Sequence, residues 1–226
     1  MDGLYPYVPQ LKQCPLFRGY TEEQTRTALR LLEARTVKYE KDAFLLKPSE
    51  PMRHFGLVVH GRVSVCIDDI EGNTAIMAQV PPGQTFGEAL CFLDSRDPDV
   101  YVRAAEPSVV VWFSVRALFA HSASSEVRDL EKRFSQMLAG RTLAMNQRIQ
   151  ILSRHTLRQK LIAYFTFCLQ NTDSRELQIP MSREELAQYI GADRSALSRE
   201  LSRMQRDGLI TYHKNELRIC FQSENE

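Results

Sequence analysis

MSREELAQYIGADRSALSRELSRMQRDGLI, residues 181–210, contains the signals for two short helices separated by a glycine. Ser182 and Glu185 have the spacing of a capping box, in which each side chain bonds the backbone N–H of the other residue, so they predict a helix start. Gly191 ends this helix, and Asp193 is placed to cap a second one. Two helices joined by a glycine-containing turn predict a helix-turn-helix.

The second of these helices has two faces of opposite character. Leu197, Leu201 and Met204 share an apolar face because they recur at helical spacing. The opposite face carries small hydroxyl residues and arginines, namely Arg194, Ser195, Ser198, Arg199 and Ser202. Small side chains let a helix approach a DNA major groove closely, and an arginine there can donate two hydrogen bonds to guanine. The pattern therefore predicts a DNA recognition helix.

Donors for DNA phosphates are predicted at the edge of the helix-turn-helix. Helix N-termini and peripheral polar side chains hold the DNA backbone in many complexes. The side chains placed to do so here are Ser182, Arg183 and Arg203. Residues 155–226 contain ten basic and ten acidic residues, so these arginines must act through their placement and not through bulk charge.

The segments that flank the helix-turn-helix predict a small β-sheet. Residues 210–212 (ITY) and 217–219 (LRI) surround the turn HKNE at 213–216, as in a β-hairpin or wing. Residues 177–179 (LQI) are a candidate third strand. The C-terminal part of the chain is therefore predicted to be a winged helix-turn-helix.

Short strands and turns dominate the first half of the chain. The strand candidates are GRVSVCI (61–67), TAIMAQV (74–80), VYVRA (100–104) and VVVWF (109–113). In the first of them Val63, Val65 and Ile67 alternate, as on the inner face of a half-buried strand. A capping box from Thr21 to Gln24 predicts a short helix before the strands. Several short strands at regular spacing predict a sandwich or a barrel-like roll.

A long helix is predicted from about residue 125 to residue 153, where the chain has no proline and a single glycine, Gly140. Its apolar residues recur at helical spacing: Leu130, Phe134, Met137, Leu138, Met145, Ile149 and Leu152. At 1.5 Å per residue the helix is about 40 Å long, too long for a small roll to cover the whole stripe. We expect a helix that dimerises about a two-fold axis through these residues, Met137 excepted. A helix packed wholly on its own domain is the alternative.

Basic residues are concentrated in and after this helix. Between Lys132 and Thr172 there are seven of them and no acidic residue: Lys132, Arg133, Arg141, Arg148, Arg154, Arg158 and Lys160. Solvated surfaces usually mix charges of both signs, so the asymmetry indicates a polyanion nearby.

The composition excludes several classes of protein. No apolar run approaches the roughly 18 residues of a membrane helix, and the N-terminus lacks the basic and apolar segments of a signal peptide. The five cysteines are scattered without a C-x-x-C pair, which argues against a disulfide framework or a zinc site and indicates reduced thiols in a cytoplasmic protein. No catalytic motif or metal-spaced cluster is found, so neither an enzyme nor a metal site is predicted.

The whole arrangement resembles the Crp–Fnr family of bacterial transcription regulators. The resemblance is carried by HGRVSV (60–65), EGN (71–73), PPGQTFGEAL (81–90), VRA (102–104) and SREELAQYIGADRSALSRELSRM (182–204). It implies an α+β fold with three parts: a cyclic-nucleotide-binding-like, effector-sensing β-roll (1–124), a dimerisation helix (125–154) and a winged helix-turn-helix (155–226). The implied partners are a second copy of the chain, double-stranded DNA with an inverted repeat and, as a further expectation, RNA polymerase.

The family pattern also assigns roles on the recognition helix. Its two recognition arginines fall on Arg194 and Arg199, and Arg199 is expected to read a guanine. Many members have a glutamate between them that accepts a hydrogen bond from cytosine. Ser195 stands at that place here, so the base opposite Ser195 stays open.

The resemblance implies an effector pocket in the roll. Two residues of this sequence differ from the family pattern there and change the chemistry of that pocket. Members that bind cyclic AMP have Gly-Glu at the start of a phosphate-binding segment and Arg-Ser ten residues later. Gly87 and Glu88 keep the first pair, whereas Pro98 and Asp99 replace the second. A carboxylate repels phosphate, so cyclic AMP is not expected in the usual mode. The expected effector residues are Gly87, Glu88, Ala89, Leu90, Asp99, Val100, Leu143 and Ala144.

Three alternatives to a cyclic nucleotide stay open. The first is another small molecule, apolar or aromatic, between the roll and the region of Leu143. The second is a haem or redox signal, for which the nominal axial ligands are His54, His60, Cys66 and Cys91; haem is not favoured, since a lone histidine on a strand is usually structural. The third is the absence of any ligand. No cofactor is identified.

Overall fold

The computed structural model describes residues 6–68, 71, 74–93, 99–120, 124–170, 172, 174–179, 181–213 and 216–220. Its contacts divide the chain into two compact units, Met1–Gly140 and Arg141–Glu226. The boundary between these units falls inside one long helix. The division into parts at residues 124 and 154 therefore stays a prediction.

Two short helices, α1 (Val8–Gln13) and α2 (Glu22–Leu31), open the first unit. The capping box predicted for α2 is confirmed, because Thr21 Oγ1 accepts the N–H of Gln24 and Gln24 Oε1 accepts the N–H of Thr21. The other elements are β1 (Arg35–Tyr39), β2 (Phe44–Leu46), β3 (His54–His60), β4 (Val63–Asp68), β5 (Thr74–Val80), β6 (Thr85–Phe86), α3 (Glu88–Phe92), β7 (Val100–Ala104), β8 (Ser108–Ser114) and α4 (Val115–Ala120).

The strands of the first unit form two antiparallel sheets of four strands, in the orders β1-β8-β3-β6 and β2-β7-β4-β5. Apolar side chains from both sheets meet in one core, to which β3 and β8 contribute Val58 and Trp112 and β4 and β7 contribute Val63 and Val102. The β-roll predicted from the strand pattern is confirmed.

Strand β4 departs from the predicted alternation. Val63 is buried as expected, but Ser64 and Cys66 are also buried, whereas Val65 and Ile67 are only partly so. A register shift between Val65 and Cys66 accompanies the pairing with β5. Such an irregularity interrupts the two-residue period on which the prediction rested.

The first part of helix α5 (Ser125–Leu152) packs on the outer face of the sheet that contains β3 and β8. Leu130, Phe134 and Met137 are buried there, and the ring of Phe134 lies 5.5 Å from that of Phe55. The prediction that Leu130 and Phe134 form a dimer interface is therefore wrong, because their own domain already covers them. Leu138 is partly buried against the same core.

A polar clamp reinforces this packing at the start of α5. Tyr20 donates a hydrogen bond to Asp129 (Oη–Oδ2 2.5 Å), and Arg133 Nε donates to the same carboxylate oxygen (2.8 Å). The guanidinium of Arg133 also lies over the Tyr20 ring at 4.2 Å. The hydrogen bond from Tyr20, assisted by Arg133, lowers the pKa of Asp129 against the opposing effect of burial.

The second unit contains the end of α5 and six further elements. These are α6 (Leu157–Gln170), β9 (Glu176–Gln178), α7 (Arg183–Ile190), α8 (Arg194–Arg206), β10 (Ile210–His213) and β11 (Glu216–Ile219). Ile151 of α5 joins Leu161, Leu186 and Leu201 in one apolar core. None of the helices in the described part of the chain is long and apolar enough to cross a membrane.

Candidate DNA interface and effector region

The turn between α7 and α8 has the predicted geometry. Ser182 Oγ accepts the N–H of Glu185 (3.2 Å), and Glu185 Oε2 accepts the N–H of Ser182 (2.8 Å), so the capping box is present. Gly191 has a left-handed backbone (φ +68°), and a Cβ atom there would lie 3.3 Å from Leu152 Cδ2. Asp193 occupies the N-cap of α8, although its carboxylate makes no capping hydrogen bond to that helix.

Helix α8 separates its apolar and polar faces as predicted. Leu197, Leu201 and Met204 are fully buried. The five residues predicted to face DNA are all exposed: Arg194, Ser195, Ser198, Arg199 and Ser202. Within the described residues, neither Arg194 nor Arg199 makes an ion pair, so both guanidinium groups are available to a ligand.

Two serines on this face use their hydroxyl protons inside the helix. Ser198 Oγ donates to the carbonyl oxygen of Arg194, and Ser202 Oγ donates to that of Ser198, both at 3.0 Å. Each hydroxyl oxygen keeps its acceptor capacity. Ser198 and Ser202 therefore suit close approach of α8 to a ligand. Their hydroxyl groups are better placed to accept a hydrogen bond from a base than to donate one.

The predicted phosphate contacts surround this face. The hydroxyl oxygen of Ser182 caps α7, which leaves its proton for donation. Arg183 stacks its guanidinium over the Tyr212 ring at 4.9 Å. Arg203 is exposed and lies 3.6 Å from Glu200. All three are thus placed at the surface of the helix-turn-helix, as peripheral contacts to a backbone would require.

The wing is confirmed as a three-stranded antiparallel sheet. Its order is β10-β11-β9, so the candidate third strand near residue 177 pairs with the predicted hairpin. The hydroxyl groups of Tyr212 on β10 and Ser202 on α8 lie 3.2 Å apart. The wing is therefore attached to the exposed face of α8 by a direct polar contact.

An ion-pair network that sequence reasoning missed joins α6 to α8. Arg158 Nε lies 2.6 Å from Glu200 Oε1, and Arg158 Nη1 lies 2.6 Å from Asp207 Oδ2. Hydrogen bonds to these two carboxylates raise the pKa of Arg158. The partners are more than forty residues apart along the chain, so no local pattern in the sequence could have paired them.

Several cations in the basic stretch have such structural roles. Lys160 Nζ lies 3.4 Å from the carbonyl oxygen of Ile190 at the end of α7, where a positive charge complements the helix dipole. Arg148 lies 5.4 Å from the Tyr189 ring, and Arg133 bonds Asp129. Together with Arg158, four of the seven basic residues make contacts that stabilise the fold. The excess of basic over acidic residues in this stretch therefore does not by itself indicate a nucleic-acid surface.

The Gly-Glu segment of the roll is present but is packed by the protein itself. Gly87 has a left-handed backbone (φ +81°) and precedes α3. A Cβ atom at Gly87 would lie 1.9 Å from Met52 Cε and 2.2 Å from Met52 Sδ, so the thioether of Met52 lies against this glycine. Met52 belongs to the apolar core of the roll, and Leu90 is partly buried against that core.

The other predicted effector residues do not share one environment. Glu88 and Val100 are buried, whereas Ala89 and Asp99 are exposed. Pro98 lies outside the described residues. Leu143 and Ala144 are exposed on α5, within the second unit. The first unit thus brings together Gly87, Glu88 and Leu90 around α3, while Asp99 places a carboxylate at the surface where β7 begins.

The nominal haem ligands are also spread over the roll. His54 and His60 occupy opposite ends of β3, and Cys66 is buried on β4, where burial raises the pKa of its thiol. Cys91 is partly buried on α3. Among the described residues no group of three histidine, cysteine or acidic side chains is placed to hold a metal ion.

Two models of known domain families match this chain, one in each unit. A cyclic nucleotide-binding domain model matches residues 36–122, and a Crp-like helix-turn-helix domain model matches residues 159–221. The chain is 23% identical over 187 residues to the global nitrogen regulator of Synechococcus elongatus. The aligned region covers 80% of this chain and 84% of that protein.

A second relative and a solved structure extend the comparison. The chain is 23% identical over 180 residues to the cAMP-activated global transcriptional regulator CRP of Salmonella typhimurium, covering 78% of this chain and 85% of that protein. The structure of a CooA mutant from Carboxydothermus hydrogenoformans superposes with a TM-score of 0.56 at 20% identity, covering 85% of this chain and 86% of that one. At this identity the structural likeness shows a shared fold.

Proposed function

This chain belongs to the Crp–Fnr family of bacterial transcription regulators, and we propose that it acts as a homodimer that binds an inverted repeat in double-stranded DNA. The observation that carries the proposal is the division of α8 into a fully buried apolar face and an exposed face of arginines and serines. A helix held in this way by its own domain can enter a major groove without unfolding.

Each exposed residue then has a role at the DNA. Arg199 donates two hydrogen bonds to a guanine, and Arg194 reaches a neighbouring base or phosphate. Ser195, Ser198 and Ser202 keep the helix close to the groove floor. The backbone contacts are assigned to Ser182, Arg183 and Arg203. Two-fold symmetry requires half-sites about 34 Å apart, one turn of the duplex.

The later part of α5 supports the proposed dimer. Met145 and Ile149 are four residues apart, so they lie on one face of the helix, and they are 66% and 60% exposed. Leu152 continues that face and is 37% exposed, and it also contacts Gly191. Large apolar side chains at helical spacing favour contact with an identical helix. The interface is therefore assigned to these three residues.

The roll is assigned to effector control, with a ligand other than a cyclic nucleotide in the usual mode. Asp99 repels a phosphate, and Met52 covers the glycine of the Gly-Glu segment. The effector then acts by changing the affinity of the dimer for DNA, and the exposed surfaces contact RNA polymerase. The proposal assigns no catalytic activity, and it places the protein in the cytoplasm with the chromosome.

The test is selection of binding sites from a random DNA library at physiological salt, followed by affinity measurements with variants. Arg199→Ala should cost about 1–3 kcal/mol on a selected site, since it removes a bidentate guanine contact. It should also relax the preference for guanine. Arg206→Ala is the matched control, because Arg206 is exposed at the end of the same helix and lies outside the proposed interface.

Two results would contradict the proposal. One is equal loss of affinity in the two variants, which would make the arginines interchangeable sources of charge. The other is binding that has no sequence preference and weakens steeply with salt, since counterion release alone produces that behaviour.

A further inference from the structure

A groove in the first unit lies between α3 and α4, beside the start of β3 and the end of β8. Its volume is about 750 Å³, within the range of small-molecule sites. The described residues that line it are Arg53, His54, Cys91, Phe92, Ser114, Val115, Arg116 and Phe119. The described lining of the groove includes neither Gly87 nor Met52.

The apolar wall of the groove consists of aromatic rings. The rings of Phe92 and Phe119 lie 5.4 Å apart, and each is 47% exposed. Both contact the buried ring of Phe134, at 5.9 Å and 6.5 Å. Leu93 beside them is 71% exposed. A contiguous apolar surface that is held in place from below but open to water is typical of a binding site.

The polar side of the groove is positive. Arg53 and Arg116 are exposed, and the described lining contains no carboxylate. Burial and the nearby Arg35, with a smaller contribution from Arg53, lower the pKa of His54, although Glu33 acts in the opposite direction. Two exposed guanidinium groups without a carboxylate in the described lining favour a bound anion.

We propose that this groove binds a small amphipathic carboxylate with an aromatic body, the ring lying against Phe92 and Phe119 and the carboxylate against Arg116. The planar guanidinium group matches a carboxylate in two parallel hydrogen bonds. Aromatic rings at this separation accept a further ring in an offset or edge-to-face arrangement. A ligand in this position would bridge α3 and α4. The proposal does not depend on DNA binding.

The experiment titrates naphthoate into the full-length protein and follows binding by calorimetry. Saturable binding with one site per chain is expected. The neutral analogue naphthalenemethanol should bind at least about tenfold more weakly, because it keeps the ring and loses the charge-assisted hydrogen bonds. The cationic analogue naphthalenemethylamine should bind more weakly still.

Four variants locate the site. Arg116→Glu and Phe119→Ser should each weaken naphthoate binding at least about tenfold. Arg62→Glu and Phe44→Ser are the matched controls, since they change an exposed arginine and a half-exposed phenylalanine of the same unit outside the groove. Both controls should bind naphthoate like the parent. Unfolding followed through Trp112 verifies that the four variants keep a folded roll.

Three outcomes would overturn the proposal. The first is no saturable binding of naphthoate to the parent protein. The second is binding that Arg116→Glu and Phe119→Ser leave unchanged, or that the controls weaken equally. The third is a change in the oligomeric state of Phe119→Ser in sedimentation, because the groove would then be an interface with a second copy. The first two outcomes leave the proposed function unaffected, whereas the third would also bear on the proposed dimer interface.

Discussion

The two ends of α5 carry the same kind of side chain in different surroundings. Leu130 and Phe134 are buried against the outer face of the sheet that contains β3 and β8, whereas Met145 and Ile149, about three turns later in the same helix, are exposed. Apolar periodicity in the sequence therefore predicts that a helix face is buried, but it does not identify the surface that buries it. The first end stabilises the single chain, and the second leaves two large apolar side chains exposed.

The largest expected effect is at the buried end. Phe134→Ala should destabilise the first unit by about 3–5 kcal/mol, because it removes a fully buried ring and leaves a cavity. The measurement is chemical unfolding followed by fluorescence of Trp112, which is the single tryptophan of the chain and lies in the roll. A loss below about 1 kcal/mol would mean that the roll collapses around the gap, and the contrast between the two ends would weaken.

Charges at the exposed end should act on assembly instead. Met145→Glu combined with Ile149→Glu should leave each chain folded, with the Trp112 fluorescence unchanged in the absence of denaturant. The dimer should weaken by about 3 kcal/mol or more, since each buried apolar side chain contributes about 1.5–3 kcal/mol. Sedimentation at micromolar concentration should find monomers. Gln150→Glu is the control, because it adds charge to the same helix about 100° around from Ile149. Dimers that survive the double substitution would contradict the proposed interface.

Substitution of two glycines should give the smallest changes in stability, and it tests the backbone conformation at each glycine. Gly140→Ala within α5 should stabilise the protein by about 0.5–1 kcal/mol, because alanine favours a helix. Apart from the neighbouring backbone of α5, no atom of the described residues lies within 4 Å of the new Cβ. Gly191→Ala should destabilise the second unit by about 1–2 kcal/mol, because φ is +68° and Leu152 is close. Unfolding followed by circular dichroism should therefore find shifts of opposite sign, and equal shifts would contradict this explanation.

The helix-turn-helix was predictable almost residue by residue. Its signals are local: a capping box that spans four residues, a glycine in the turn, and apolar residues within one helix. The face of α8 follows from helical periodicity once one side is apolar. Contacts made from a distance were not predictable. Arg158 pairs with Glu200 and Asp207, and nothing near Arg158 in the chain distinguishes it from the other arginines.

The candidate effector region of the roll also shows that contacts between distant residues were not predictable from the sequence. The replacement of the expected arginine and serine by Pro98 and Asp99 was visible in the sequence, and it argued against a phosphate. The thioether against Gly87 was not visible, because Met52 precedes that glycine by more than thirty residues. Likewise, Phe92 and Phe119 meet only because α3 and α4 are neighbours in the fold.

The amino-acid sequence by itself determined the two kinds of structure, the start and end of α7, the start of α8, and which face of α8 meets solvent. These follow from caps, glycines and periodicity, which act over a few residues. Tertiary structure covered Leu130 and Phe134 with the first unit, brought Arg158 to α8 and formed the aromatic groove. Packing joins residues that are distant along the chain, and short-range patterns carry no information about such pairs.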